Sequence, residues 1–366
     1  MSEQIRNQYF PDAVSAPGET LEEVLEERGM SQAELAERTG RPKKTINEIV
    51  KGKAAITPET ALQFERVLGI PAGFWIAREQ NYRESLARAK EVVEFEKQTD
   101  WLDQVPYRAM IKLGWIAEYR EKARQLEEVL RFFAVAYPSN WVGVWGSASP
   151  AFRRSPTFEG EPGAVAAWLR KGELDAALQE AEEFDADVFK RALERVRSLT
   201  RELPHDFVTV VTKECNEAGV CLVFVPELPG TRVWGATKWL TTTRALIQLS
   251  LRYKTDDHLW FTFFHEAGHI LLHNRRDVFL EVDERQESEQ ESEADKFAQE
   301  WLIPSARYRV FQRIGAFTCA AVSRFAYELG IAPGIVVGRL QHDGHLDRTE
   351  CNNLKKKVDW VLDTER

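Results

Sequence analysis

Between residues 15 and 80, apolar side chains recur at helical spacing in short blocks, each closed by glycine or proline. Pro17 and Glu19 lead into the first, which has Leu21, Val24 and Leu25 on one side and ends at Gly29. Ser31 stands as an N-cap with Glu34 three residues on, a capping-box pattern. It opens the block 32–39, with Leu35 and Ala36 apolar and Gly40 as its stop. Pro42 opens a third, with Ile46, Ile49 and Val50 inward, ending at Gly52. Thr57 caps a fourth, with Pro58 at the first helical position and Ala61, Leu62, Phe64, Val67 and Leu68 apolar as far as Gly69. Helix, tight glycine turn, helix is the spacing of a helix-turn-helix.

The middle of the chain predicts more helix. Residues 82–97 are charged with a thin apolar stripe. Residues 113–137 carry Leu113, Ile116, Leu126, Val129, Leu130 and Phe133 at helical spacing, 142–158 read as loop, and 165–170 and 187–203 return to helix. Trp141, Trp145 and Trp168 read as core. Beyond this the pattern changes. Residues 206–211 and 219–225 are β-branched and apolar and predict strands around a helix ending at Ala218, and 231–239 and 245–249 predict more strand. A near-continuous apolar run through Phe261, Phe263, Phe264, Ile270, Leu271 and Leu272 predicts a buried helix. Ala294, Phe297, Ala298, Trp301 and Leu302 predict another, and 308–314, 318–329 and 333–340 predict helices after Pro304. The expected fold class is α+β, mostly α: a five-helix helix-turn-helix domain (1–85), a helical connecting region (86–203), a small sheet with helices (204–346) and a tail (347–366).

Composition bounds this picture without changing it. A chain of 366 residues, 43% hydrophobic and 29% charged, suggests two or three domains with real cores. The net charge of −9 argues against a protein coated in nucleic acid and leaves room for a local basic face. The four cysteines, Cys215, Cys221, Cys319 and Cys351, form no Cys-x-x-Cys pair and read as small buried hydrophobes in a reducing compartment. Residues 1–11 have no apolar core, and no apolar run approaches the ~20 residues of a membrane span. A soluble, cytoplasmic protein with no membrane contact is expected.

Two stretches carry chemistry. Around the helix predicted after Pro42, Arg38, Arg41, Lys43, Lys44, Lys51 and Lys53 cluster against one acid, Glu48. Lysines there suit phosphates, and Thr45 and Asn47 are short polar side chains able to reach base edges. The second stretch is His265-Glu266-Ala267-Gly268-His269 inside the apolar run. On a helix the two histidines leave one face roughly 40° apart, a spacing that can grip one Zn²⁺. Glu266 is placed as a general base that does not itself ligate. Downstream, Glu291 and Asp295 lie one turn apart on the helix that follows. Glu291 is the expected third ligand, with Glu293 its rival, and Asp295 the carboxylate that orients a ligating histidine. The acids from Glu281 to Glu289 read as solvated, as does Lys355-Lys356-Lys357. His273 is expected to end its helix, with Tyr253 or His273 as weaker candidates to polarise a carbonyl. His342 and His345 read as structural.

These motifs resemble known families. His-Glu-x-x-His-x-x-x-His, then Glu-x-Glu-Ala-Asp-x-Phe-Ala, then Leu-Ile-Pro, is similar to the ImmA/IrrE zinc metallopeptidases. That resemblance implies a thermolysin-like site in which His265, His269 and Glu291 hold zinc and Glu266 is the base. Pro-Gly-Glu-x-Leu, Gly-Met-Ser-Gln-x-Glu-Leu-Ala at 29–36, Ile46-Asn47-Glu48-Ile49, Lys51-Gly52-Lys53, Ile56-Thr57-Pro58-Glu59-Thr60-Ala61 and Phe74-Trp75 together resemble the HigA-type antitoxins of the XRE helix-turn-helix family. That resemblance implies a homodimer on operator DNA, autoregulation and a toxin partner. It places Gln32 on the DNA backbone and Lys43, Lys44, Thr45 and Asn47 in the major groove; Arg41, from the basic cluster, is expected to bind DNA with them. Two functions are therefore expected to compete: a DNA-binding regulator whose zinc domain cleaves a repressor or toxin, and a non-proteolytic antitoxin whose zinc domain binds or senses a toxin or ligand. A general stress protease is a weaker third.

Overall fold

The computed structural model describes residues 14–146, 161–202, 206–250, 255–275, 278–282 and 288–358. Tyr253, residues 283–287 and much of the loop expected over 142–158 lie outside the described residues. These fall into two compact units, one running to Thr99 and including Lys122–Arg124, the other comprising Asp100–Glu121 and everything from Gln125 onward.

The first unit is five helices: α1 (Pro17–Glu27), α2 (Gln32–Thr39), α3 (Lys43–Val50), α4 (Pro58–Leu68) and α5 (Ala72–Glu96). The expected punctuation is present. Ser31 Oγ accepts from the Glu34 amide at 3.1 Å, and Thr57 Oγ1 accepts from the Thr60 amide at 3.3 Å. Gly40 and Gly69 close their helices in the left-handed conformation. The Glu34 side chain itself turns to Arg38, so half of the capping box forms. Leu21, Leu35, Ile46, Phe64 and Trp75 are fully buried in a common core. Gly18 lets α1 lie on the end of α3, since a Cβ there would meet the Val50 carbonyl at 2.2 Å. The long helix α5 runs 25 residues, unbroken through position 85.

The second unit opens with helical segments that depart from the sequence pattern. Where one helix was expected over 113–137, α6 (Tyr107–Lys112) stops and α7 (Lys122–Phe133) starts afresh. Gly114 takes a left-handed conformation that ends α6, and the buried Gln125 side chain pins the intervening loop through Ala117 and Tyr119. The stretch expected as loop after Val142 begins inside α8 (Pro138–Val144). Trp141, Trp145 and Trp168 are buried, and the indole N–H groups of the last two donate to the Phe133 and Val225 carbonyls. Two further helices, α9 (Pro162–Ala176) and α10 (Ala186–Leu199), follow as expected.

Residues 206–211, expected as strand, belong to a helix, α11 (Phe207–Asn216). Their β-branched content suggested extension, but Phe207, Val211 and Cys215 recur every fourth residue and bury against the sheet, and packing overrides propensity. The sheet has four strands, β1 (Val220–Phe224), β2 (Val233–Trp239), β3 (Ala245–Leu249) and β4 (Phe279–Val282), in the order β1-β3-β2-β4. β1 runs parallel to β3, and β2 runs antiparallel to both neighbours. Across its face lie α12 (Asp256–Leu272) and α13 (Glu289–Leu302), then α14 (Ser305–Ile314), α15 (Cys319–Leu329) and α16 (Pro333–His342). No single helix among the described residues is long and apolar enough to cross a membrane.

The end of the described chain corrects two expectations. Cys319 and Cys351, read as isolated hydrophobes, form a disulfide, with Cα atoms 5.5 Å apart. Cys215 and Cys221 are buried and free. Lys355, read as solvated, reaches back to Asp257 at 2.7 Å, and Lys356 and Asp256 exchange hydrogen bonds at the first turn of α12. Gly334 and Gly338 on α16 leave room for these carboxylates, since Cβ atoms there would meet Asp256 and Asp257 at 2.3 and 2.7 Å. The tail backbone and the Lys355 side chain therefore close over the helix N-terminus, while the Lys356 and Lys357 side chains face solvent as expected.

Candidate functional site

α12 is buried along most of its length, including Thr262, His265, Glu266 and His269. It holds so many large apolar residues because it passes between the sheet and α13. Gly268 permits the close approach of α13, since a Cβ there would press on Phe297 at 3.1 Å and on the Ala294 backbone at 3.3 Å. Thr237 on β2 donates to the Glu266 carbonyl at 3.1 Å and ties the sheet to the helix.

On the α13 side, His265 Nε2 lies 3.0 Å from His269 Nε2 and 3.0 Å from Glu291 Oε2, and His269 Nε2 lies 3.6 Å from the same oxygen. Tetrahedral zinc with N and O ligands spaces its donors roughly 3.3 Å apart. These three donor atoms fit one metal ion, and they form the metal-ligating group found among the described residues. Asp295 Oδ1 accepts from His265 Nδ1 at 3.0 Å, which leaves Nε2 free to ligate. Glu293 points elsewhere, to His273 at 3.1 Å. His273 does end the helix, and its ring also meets His269, Nδ1 to Nδ1 at 2.9 Å. His342 and His345 are engaged separately, with Asp343 and Gln312.

The electrostatics suit a cation. Burial would lower the His265 pKa, but Glu281, Asp295 and Glu291 around it hold it well above the usual histidine value. Burial takes His269 down to about 4, so that ring is neutral. Glu291 keeps its charge despite burial, because hydrogen bonds from both histidines bring it to about 2. Burial pushes the Glu266 carboxyl well above the usual range. Neither Glu266 oxygen has a hydrogen-bond partner among the described residues.

In the first unit, α3 presents Lys43 and Lys44 to solvent, with Lys44 3.8 Å from Glu48. Asn47 donates to the Gln32 side chain at 3.2 Å, and Arg41 donates to Gln63 at 2.6 Å. Thr45 is half-buried on the same helix. The candidate DNA contacts therefore share the α2–α3 face, with Gln32, Asn47 and Arg41 held by side-chain bonds.

Comparison with known proteins places both units. Residues 21–75 match the helix-turn-helix family and residues 221–314 match the IrrE N-terminal-like domain family of peptidases. An uncharacterized HTH-type transcriptional regulator of Escherichia coli, YddM, is 31% identical over 81 residues, spanning 22% of this chain and 84% of that protein. The chain belongs to the helix-turn-helix transcriptional regulators. It couples an XRE-type DNA-binding domain to an ImmA/IrrE-like peptidase domain. Among solved structures, an addiction module antidote protein of the HigA family from Coxiella burnetii is 30% identical over 23% of this chain and 92% of that one, with a TM-score of 0.21. A Pseudomonas aeruginosa protein in complex with its operator DNA is also 30% identical, over 21% and 85% of the two chains, with a TM-score of 0.21.

The regulator's candidate metal site has parts that sequence reasoning missed. Glu281, read as solvated, sits on β4 with Oε2 buried and unpartnered among the described residues; burial raises its pKa, against the pull of His265. The correction is topological. β4 pairs with β2, Glu281 stands opposite Gly235, and that register carries the acid to the site rather than to solvent. Phe279, two residues earlier, stacks on His269 with ring centroids 4.0 Å apart. Gly235 backs Glu266: a Cβ there would lie 2.5 Å from Oε1. A glycine inside a predicted strand signals such close approach.

Proposed function

We propose that this regulator binds an operator through its first unit and that its second unit is a zinc-dependent endopeptidase that cleaves a partner regulatory protein, a repressor or a toxin. One observation carries the peptidase reading. Glu266 is fully buried with both carboxylate oxygens unpartnered among the described residues, next in sequence to His265, whose donor converges with those of His269 and Glu291. A carboxylate kept for stability would be hydrogen-bonded, whereas one kept for proton transfer must stay available. His265, His269 and Glu291 are the residues to hold zinc, with Asp295 orienting His265.

A bound Zn²⁺ supplies Lewis acidity, acidifying water and polarising a peptide carbonyl. Glu266 accepts the proton of the attacking water and passes it to the departing amine. Burial strengthens its hold on a proton, which suits a group that must take one from water and pass it on. Phe279 and the surrounding apolar helix keep bulk water from the histidines. In the first unit, Gln32 and Arg41 take backbone phosphates, while Lys43, Lys44, Thr45 and Asn47 enter the major groove, in a homodimer on a symmetric operator.

The test is Glu266→Gln in the full chain. Zinc content should stay stoichiometric while cleavage of the partner and derepression disappear. Zinc-loaded Glu266→Gln protein that still derepresses or neutralises a toxin as well as the wild type would make the second unit a binding or sensing module instead.

A further inference from the structure

A cavity of about 850 Å³ opens within the second unit beside the metal centre. Three lining residues connect it to the site. Phe261 is one turn before His265, with rings 6.2 Å apart. Gln299 is one turn beyond Asp295 on α13. Trp234 adjoins Gly235, the residue that backs Glu266. Trp234, Phe261, Leu302 and Ile335 give the cavity an apolar floor. A volume of this size accommodates several residues of an extended chain.

The charged side chains of the cavity lining are mostly basic: Arg339, Arg348 and Lys355 stand against one carboxylate, Asp257. Lys355 pairs with Asp257 at 2.7 Å and Arg339 with Asp343 at 2.8 Å. Arg348 is exposed and has no ion-pair partner among the described residues.

We propose that this cavity is the specificity cleft of the peptidase: it takes a polypeptide segment in which a large apolar side chain lodges between Trp234, Phe261 and Ile335, and a nearby acidic residue meets Arg348. The inference rests on the peptidase reading above and names the substrate class for it. Arg348 attracts a substrate carboxylate while the apolar floor takes the neighbouring side chain, so the two together fix the direction in which the segment lies.

The test uses the full-length Glu266→Gln protein loaded with zinc, which binds without turning over, and three fluorescein-labelled decapeptides read by anisotropy. One carries Phe followed by Asp, the second replaces Phe with Ser, and the third replaces Asp with Lys. The Phe-Asp peptide should bind about tenfold or more tighter than the Ser peptide, from burial of the ring. It should bind about two- to fivefold tighter than the Lys peptide, a preference that shrinks in high salt. Adding Arg348→Glu should reverse the Asp-over-Lys order, and an exposed residue tolerates that change without loss of fold. Equal binding of all three peptides, or an unchanged order in the Arg348→Glu protein, overturns the inference. Wild-type protein that cleaves these peptides with no preference overturns the cleft alone and leaves the peptidase standing. Absence of both zinc and cleavage in wild type, with the peptide preferences intact, removes the peptidase and leaves a peptide-binding cleft.

Discussion

Replacing Gly235 with alanine tests whether β2 sets the position of the proposed general base. The new Cβ would stand 2.5 Å from Glu266 Oε1 and 2.7 Å from Thr262 Cγ2, against the 3.4 Å at which ordinary contact begins. Something must give by nearly an ångström. Thr262 sits on α12, and α12 is held by α13 on one side and by the Thr237 bond on the other. The Glu266 carboxylate has no hydrogen bond among the described residues to hold it, so it moves first. A shift of about 1 Å in a catalytic group costs on the order of 10²-fold in rate. The same overpacking should cost about 1–3 kcal/mol of stability, read as a fall of ~2–4 °C in Tm per kcal/mol for a unit of this size. The assays are zinc stoichiometry by atomic emission, steady-state cleavage of a peptide, and thermal unfolding. Zinc should remain, kcat should fall and KM should change little. An unchanged kcat would show that the carboxylate does not act from its place against β2. Loss of zinc along with activity would show that the strand positions the ligands rather than the base.

Other outcomes follow from the same geometry. Asp295→Ala should weaken zinc affinity about 10–100-fold by freeing His265 to rotate, measured by competition with a chelator; unchanged affinity would remove Asp295 from the site. Asp256 is fully buried, and burial lifts its pKa to about 6, so the folded chain binds its proton more tightly than the unfolded chain does. The Asp256 contribution to stability should therefore be fully present below pH ~4 and be lost as pH rises through ~6, by up to about 3 kcal/mol, so Asp256→Asn should remove that component of the slope in melts across the window. Reducing the Cys319–Cys351 disulfide, or replacing both cysteines with serine, should cost about 2–4 kcal/mol, seen as a lower melting temperature in dithiothreitol. Lys43→Ala with Lys44→Ala should weaken operator binding and reduce the salt dependence by about two released counterions; unaltered binding would reject α3 as the reading helix.

Four of the five helices of the first unit were legible because their ends are local events: Ser31, Thr57, Gly40 and Gly69 act on the backbone within a few residues of themselves, whereas the fifth, read from residue 82, begins at Ala72. The core of the metal centre was legible because helical periodicity converts the spacing of His265 and His269, and of Glu291 and Asp295, directly into shared faces. Legibility ended where distant partners decide. Residues 207–216 look extended by composition and become helix because one face finds the sheet. Glu281 and Lys355 are surrounded by charge in sequence, which suggested solvent, yet strand pairing and the returning tail bury both beside specific groups. Gly235 and Phe279 gain meaning only when β2 and β4 come together.

The closure of the tail over α12 also decides where the peptidase unit can be cut. Similarity to the IrrE-like family stops at residue 314, and the motif pattern stops near Leu346, so either point invites truncation. A fragment ending there would lack the Lys356 carbonyl that receives the Asp256 amide and the Lys355 ammonium that neutralises Asp257. A fragment ending near Leu346 would leave Asp256 and Asp257 under α16 without these partners, and one ending at 314 would lose α16 as well, at the end of the very helix that carries His265 and His269. The smallest portable version of this enzyme-like unit therefore extends at least through Val358, and a recombinant piece chosen by similarity alone would test a helix that has lost its lid.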